Sequence, residues 1–286
     1  MMHSTGKNGN PGSPTVNEAL SEARRKLASR LEADLLGCRA LACERSWLYA
    51  HGDDAIADEA RLRLRQLVDQ RLDGHPIAQL CGGREFYGRE FAVDPRVLIP
   101  RPETEQLIDL ALALRLPAEA RVCDVGTGSG CIALTLAAER PGWRISAVDR
   151  STDALVVAAD NRKRLQLGGV ELLAGDLLEP VSDRRFDLVV SNPPYIAATD
   201  PHLQRGDLRF EPRSALAAGA DGLDLIRRLA PQAFERLDPG GWLLIEHGHD
   251  QAAAVRELLT RAGFVGVESR HDLAGIERVA VGCKPA

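Results

Sequence analysis

Asn192-Pro193-Pro194-Tyr195 follows an apolar run, Phe186-Asp187-Leu188-Val189-Val190-Ser191, that predicts a buried strand. Two consecutive prolines remove two backbone donors and fix φ at both positions. The residue before each proline is pushed toward an extended conformation. Such a loop is stiff, and its carbonyls point in set directions. The Asn192 side-chain carbonyl and the Pro193 carbonyl can then accept the two hydrogens of one planar –NH₂ group, with Pro194 and the Tyr195 ring closing around the flat group that carries it. This is a holder for an amide or exocyclic amine whose nitrogen is to be alkylated. The plainer alternative is a proline-rich turn that ends a strand.

The elements around the loop favour the chemical reading. Arg121-Val122-Cys123-Asp124-Val125 reads as a short strand running into Gly126-Thr127-Gly128-Ser129-Gly130, and a helical pattern through Ile132, Leu134, Leu136 and Ala137 follows. Glycines at a strand-to-helix turn permit close backbone approach by a ligand. The G-x-G-x-G spacing differs from the G-x-G-x-x-G of dinucleotide binders. The next strand, Trp143 to Val148, ends in Asp149, where a carboxylate can accept hydrogen bonds from both ribose hydroxyls of a nucleoside. Another strand, Val170 to Leu173, leads to Asp176, within reach of an adenine edge. A single strand-terminal Asp is commonly a cap or turn residue. Several such sites at successive strand ends converge on the crevice where open α/β sheets bind ligands.

Together these residues resemble a class I S-adenosylmethionine-dependent methyltransferase. The flanks narrow the likeness: Gly82 to Gly88 (GGREFYG), Phe91, Val97 to Glu105 (VLIPRPETE), Phe210 to Leu216 (FEPRSAL), Asp221-Gly222-Leu223, and Glu246-His247-Gly248 followed by Gln251. This set is similar to the PrmC/HemK family, the peptide-chain release factor glutamine N5-methyltransferases, over residues 18 to 283. The resemblance implies S-adenosylmethionine as cofactor, S-adenosylhomocysteine as product and no metal. It implies that Gly126, Thr127, Gly128, Ser129 and Gly130 hold the methionine end, Asp149 the ribose, and Asp176 with Leu177 the adenine. Asn192, next to both ligands, begins the Asn192–Tyr195 holder for the acceptor amide. The implied substrate is the glutamine of the GGQ motif of class I release factors. Leu177 stands where some members carry Trp, so adenine would meet an aliphatic face. His249 and Asp250 fall where members vary.

The holder and the cofactor residues need a scaffold, and the pattern from residue 105 onward supplies one. Helical and strand segments alternate, which predicts an α/β fold with a doubly wound parallel sheet over 105–286. The family adds the expectation of a Rossmann-like sheet of seven strands with the last reversed. Ahead of it, residues 77–104 alternate and are broken by Gly82-Gly83 and Gly88, predicting a β-hairpin connector. Residues 15–76 predict a small helical bundle. Thr15-Val16-Asn17-Glu18 has the form of a capping box, opening a helix with Leu20, Leu27, Leu31 and Leu35 on one face. A second helix fits Arg39 to Ala50 and a third Asp53 to Asp73. Arg61, Arg63, Arg65 and Arg71 read as a solvated face, whereas the family implies a bundle that helps to grip a protein partner. Residues 1–14, rich in Gly, Asn, Ser and Pro, are expected to be a disordered tail rather than a signal peptide.

Composition sets outer limits. Hydrophobic content of 44% and charged content of 27% are ordinary for a globular protein. No apolar stretch is long enough for a transmembrane helix, so no membrane association and a cytoplasmic location are expected. A net charge of −5 argues against a long phosphate footprint and hence against stable nucleic-acid binding. The six cysteines, at 38, 43, 81, 123, 131 and 283, lack C-x-x-C spacing and read as buried thiols of a reducing compartment. His247-Gly248-His249 lacks a third ligand and makes a poor metal site. Two other functions fit parts of the pattern. An adenine-N6 methyltransferase also needs a holder for a planar –NH₂, but must flip a base and bind the backbone. A non-catalytic release-factor or ribosome binding module would have no need of an intact glycine turn and loop.

Overall fold

The computed structural model describes residues 14–286, so the expectation for the tail falls almost wholly outside the described residues. The chain forms two compact units, the first ending at Gly82 and the second running from Gly83 to Ala286.

The first unit is helical: α1 (Val16–Leu27), α2 (Arg30–Leu41), α3 (Arg45–Ala50), α4 (Asp58–Leu72) and the short α5 (Ile77–Cys81). The predicted capping box forms: Glu18 N donates to Thr15 Oγ1 at 3.2 Å, and Thr15 N donates to Glu18 Oε2 at 2.8 Å. Such caps contribute about 1 kcal/mol. The single long apolar face through Leu31 does not form. Ala28 adopts φ 51° and ends α1, and Ser29 caps α2 through a 3.3 Å bond from Glu32 N. The phase of the helix is reset there, so Leu31 is 53% exposed and Leu36 takes the core position. Ala42, at φ 53°, likewise divides the expected Arg39–Ala50 helix in two. The third helix starts at Asp58, not Asp53. Asp34 is buried and accepts from Arg24 at 2.7 Å and from Tyr49 Oη at 3.1 Å, which offsets the cost of burying a charge. The arginines of α4 are largely paired: Arg71 with Glu32 at 2.9 Å, Arg65 with Glu22 at 3.6 Å and Arg61 with Asp58 at 3.4 Å.

The second unit opens with a hairpin, β1 (Gly83–Phe86) and β2 (Arg89–Ala92). Its turn residues Tyr87 and Gly88 both have positive φ, as a two-residue type I′ connection requires. The hairpin is shorter than expected, because Ile77–Cys81 is helical, and it is no free connector: Phe86 and Phe91 enter the core of the sheet unit. Then come α6 (Glu105–Ala113), β3 (Arg121–Val125), α7 (Cys131–Glu139), β4 (Arg144–Asp149), α8 (Thr152–Arg164), β5 (Glu171–Ala174), β6 (Phe186–Ser191), α9 (Asp224–Arg236), β7 (Leu237–Glu246), α10 (Ala252–Arg261), β8 (Val265–His271) and β9 (Glu277–Cys283). The seven-stranded sheet has the order β5-β4-β3-β6-β7-β9-β8. β3 to β7 pair in parallel, and β9 runs antiparallel to both its neighbours, so the last strand is the reversed one.

Successive residues of the central strands feed opposite faces. Val122, Leu188, Val190 and Leu244 pack with α6 and α7, while Cys123, Val189, Leu243 and Ile245 pack with α9 and α10. Burial on both faces explains why these strands read as continuous apolar runs. Only Cys123 and Cys131 are buried; the other four thiols are half-buried and all six are free. Among the described residues no helix is long and apolar enough to cross a membrane.

Candidate active site

The strand order reverses between β3 and β6, and there the connections leave the carboxyl edge in opposite directions and open a crevice. The glycine turn follows β3, Asp149 ends β4, Asp176 and Leu177 follow β5, and Asn192 follows β6. A cleft of about 790 Å³, counting its open mouth, is lined by Gly126, Gly128, Asp149, Asp176, Leu177, Asn192, Pro193 and Pro194 among others. A wider groove in the helical unit, between α1 and α4, is lined by Glu22, Arg25, Arg61 and Arg65 and has none of these strand-end groups.

The glycine turn is held from below. Gly126 N and Thr127 N both donate to Val148 O, at 2.8 and 3.0 Å. Gly126 and Gly128 have φ of 77° and 55°, with nothing within 4 Å of where a Cβ would stand. Backbone conformation demands glycine here, and the space beside it is free for a ligand to approach. Gly130, at φ 82°, also has its Cβ position only 3.0 Å from the Leu134 side chain, so a side chain there would be crowded as well as strained. Thr127 and Ser129 do not line the cleft. Thr127 Oγ1 donates to Asp124 Oδ2 at 2.6 Å, and Ser129 O accepts from the buried Asn161 at 2.9 Å. These residues and Gly130 shape the turn. Asn161 also bonds Ala92 through both its N–H and its oxygen, at 3.0 and 2.7 Å, and so ties the hairpin to the turn. Asp124 is fully buried, and Ala133 N is its second donor at 3.1 Å. Burial pushes its carboxyl up to about 7, with the bonds from Thr127 and Ala133 opposing.

Asp149 accepts Gly128 N on Oδ2 at 2.9 Å and Ser151 N on Oδ1 at 2.8 Å. Two of its four lone-pair positions remain for a ligand. Burial raises its pKa, and those two backbone bonds oppose the rise. Asp176 lies on the wall, but one carboxylate oxygen is engaged by Arg228. Leu177 is buried with φ 51°, a left-handed conformation that costs a non-glycine residue about 1–2 kcal/mol. It packs in the core between sheet and α9 and presents an apolar wall.

Asn192 to Tyr195 also line a smaller recess with Leu98, Arg101 and Ile196. The flanking blocks of sequence meet around this loop. Glu211, buried, accepts Ile99 N at 2.9 Å and also pairs with Arg101. Gln251 Nε2 donates to Tyr195 O at 2.9 Å and to Asp221 O at 3.0 Å, and its Oε1 accepts Gly248 N at 2.9 Å. Gly222, at φ 79°, lies so close to Tyr195 O that a Cβ would overlap it at 2.0 Å. Asn192 Nδ2 donates to Thr104 Oγ1 at 3.0 Å, and Tyr195 Oη donates to Glu246 Oε1 at 3.4 Å. Burial pushes Glu246 up to about 7 and Tyr195 above the usual phenol range. Thr104, Glu211, Glu246 and Gln251 were visible in the sequence only as parts of flanking motifs. Their role as braces needed the fold, because they lie far from residue 192 along the chain. Among the described residues no cluster of metal-ligating side chains occurs.

The arrangement can bind an extended ligand between glycine turn and strand-end carboxylates, and can present two fixed acceptors to a planar –NH₂ group beside it. The chain as a whole is similar to known proteins. The family described as PrmC N-terminal domain matches residues 18–82, and the family described as Methyltransferase small domain matches residues 107–206. The release factor glutamine methyltransferase of Xylella fastidiosa is 49% identical over 268 residues, spanning 93% of this chain and 98% of its own. The protein of the same name from Neisseria gonorrhoeae is 51% identical over 237 residues, spanning 82% and 86%. A methyltransferase from Pyrococcus furiosus, at 18% identity and a TM-score of 0.54, covers 78% of this chain and 98% of its own and shares the fold. With such identity over nearly the whole length of its relatives, the chain belongs to the release factor glutamine methyltransferase family.

Proposed function

We propose that this chain transfers a methyl group from S-adenosylmethionine to the side-chain amide nitrogen, N5, of the glutamine in the GGQ motif of class I release factors. The observation that carries this reading is that Asn192, Pro193 and Pro194 line the same cleft as Gly126, Gly128 and Asp149, with Tyr195 in the recess beside it. The cleft suits the cofactor: the open faces of Gly126 and Gly128 fit the methionine end, the spare lone pairs of Asp149 the ribose hydroxyls, and Leu177 with Asp176 the adenine. S-adenosylmethionine supplies a methyl group on a positively charged sulfur.

The protein's own task is placement. An amide nitrogen is a weak nucleophile because its lone pair is delocalised into the carbonyl. Asn192 Oδ1 and Pro193 O receive the two amide hydrogens and hold the nitrogen in line with the methyl group. Positioning of this kind can contribute up to about 7–11 kcal/mol. The partial negative charge of the two carbonyls also favours the transition state, in which the nitrogen becomes more positive. The half-buried Tyr195 is fixed by Gln251 and Glu246 to flank the amide plane.

We assign residues 15–76 to capture of the protein substrate, residues 105–286 to methyl transfer, and the cytoplasm as the place of work. Stable binding to nucleic acid is not part of this assignment, given the net charge of −5. The test is incubation with radiolabelled S-adenosylmethionine and, separately, a release factor, its Gln-to-Ala variant, DNA and ribosomal RNA. Label on the wild-type release factor alone is the expected result. Label on DNA or RNA would overturn it.

A further inference from the structure

The recess beside the cleft is walled by the Asn192–Tyr195 loop and by apolar side chains such as Leu98, Ile196 and Leu216. Among the described residues that line it, Arg101 alone carries a charge. A guanidinium has five N–H donors in a rigid fork. Arg101 gives one of them, on Nη2, to Glu211 Oε1. The Glu211 side chain is fully buried and its Oε2 accepts Ile99 N at 2.9 Å, so the carboxylate is tied to the backbone and in turn fixes the guanidinium. The remaining Arg101 donors have no partner among the described residues, and the side chain is 30% exposed. Other groups of the recess have little to donate. Pro193 and Pro194 lack an N–H. Ile196 N and Leu216 N are given to Leu216 O and Arg213 O, at 2.9 and 3.2 Å. Asn192 Nδ2 is given to Thr104 and Tyr195 Oη to Glu246. A peptide that places a glutamine side chain here takes carbonyl oxygens out of water, and an oxygen left unpaired would oppose binding.

We propose that Arg101 is a substrate-binding residue: held by Glu211, it donates to a main-chain carbonyl oxygen of the segment that carries the acceptor glutamine. The proposal rests on the amide-methylation reading above. The oxygen served is not that of the acceptor amide. A cationic donor there would hold the nitrogen lone pair in the amide resonance and weaken the nucleophile. A main-chain carbonyl takes no part in the reaction, so gripping it strengthens binding equally before and during transfer and leaves the chemical step alone. Selectivity follows from the same contact. Carbonyls inside helices and sheets are already bonded to backbone N–H groups, so Arg101 favours a glutamine carried on an irregular loop.

Removing Arg101 alone would strand a buried carboxylate and confuse binding with folding. The double variant Arg101→Met with Glu211→Gln removes both charges, and the new amide still accepts Ile99 N. It should melt close to the wild type. Its KM for a release factor should rise roughly 10- to 150-fold, the worth of one hydrogen bond to a charged group. With kcat and S-adenosylhomocysteine affinity near wild type, that is the pattern of lost uniform binding. A folded double variant with wild-type KM overturns the proposal. A second readout needs no turnover. With S-adenosylhomocysteine bound, the Arg101 Nε–H resonance is assigned by its loss in the double variant. It is then followed by NMR on addition of N-acetylglutamine methylamide, or of propionamide, which has the amide without a main chain. Both should move the Asn192 side-chain resonance, and only the first should move that of Arg101. An Arg101 resonance indifferent to the blocked glutamine, or moved equally by propionamide, overturns the proposal. If the wild type methylates no release factor, the functional reading fails, while the resonance test still decides the role of Arg101.

Discussion

Asp149→Asn separates what the strand-end carboxylate does for the protein from what it does for a ligand. The substitution keeps size and removes one acceptor oxygen. In the wild type both oxygens already serve the backbone, Oδ2 for Gly128 N at 2.9 Å and Oδ1 for Ser151 N at 2.8 Å. An asparagine can satisfy only one of these donors and presents –NH₂ to the other. Leaving a buried donor without an acceptor costs about 1–3 kcal/mol, so the melting temperature of the variant should fall. Binding should fall separately. A ribose hydroxyl bonded to a charged acceptor is worth about 1.5–3 kcal/mol, and at about 1.4 kcal/mol per decade that predicts a Kd weaker by roughly 10- to 150-fold. Calorimetric titration with S-adenosylhomocysteine, alongside thermal melts of the same preparations, reads both quantities. A folded variant with a lower melting temperature and wild-type affinity would show that Asp149 only braces the glycine turn, and would remove it from the cofactor site.

Asn192→Ala should lower turnover about 10²–10³-fold, as for loss of one preorganised polar group, while S-adenosylhomocysteine affinity measured by calorimetry changes much less. Asn192→Asp should also turn over slowly with binding retained, and near-normal rates in both variants would make the loop structural. The folded chain keeps a proton on Asp124 up to about pH 7, whereas the unfolded chain releases it near 3.8. The folded state therefore binds more protons across that window, and stability should decline as pH rises from about 4 to 7. Asp124→Asn should flatten this slope in thermal melts, and an unchanged slope would assign it to other groups, such as Glu246, whose carboxyl is raised in the same way. Deleting residues up to Gly82 should leave cofactor binding intact and raise KM for a release factor; methylation with unchanged KM would make the helical unit mere scaffold.

The strand-end chemistry was legible because it is local. A parallel strand buried on both faces announces itself as an apolar run, and the residue after it falls at the carboxyl edge by construction, so Gly126, Asp149, Asp176 and Asn192 could be placed together before any fold was known. Two kinds of feature were not legible. Alanine at a left-handed helix end, as at Ala28 and Ala42, carries no breaker signature, and the apolar pattern ran through both. Braces that join distant segments, such as Thr104 to Asn192, Glu211 to Ile99 and Gln251 to Tyr195, depend on the tertiary fold and leave no periodicity. Thr127 and Ser129 show the limit of a motif read as a whole. Thr127 stands between two cleft-lining glycines and Ser129 follows the second, yet both serve the turn's interior.

The central claim is that the acceptor atom is a glutamine side-chain nitrogen, and mass spectrometry tests it most directly. A release factor is incubated with the enzyme and S-adenosylmethionine, digested, and the GGQ-containing peptide fragmented. The account predicts one added methyl group on the glutamine side-chain nitrogen, and none when that glutamine is alanine or when Asn192→Ala replaces the enzyme at matched times. A methyl group on another residue or on the backbone, or an unmodified peptide from an enzyme that binds its cofactor, would contradict it.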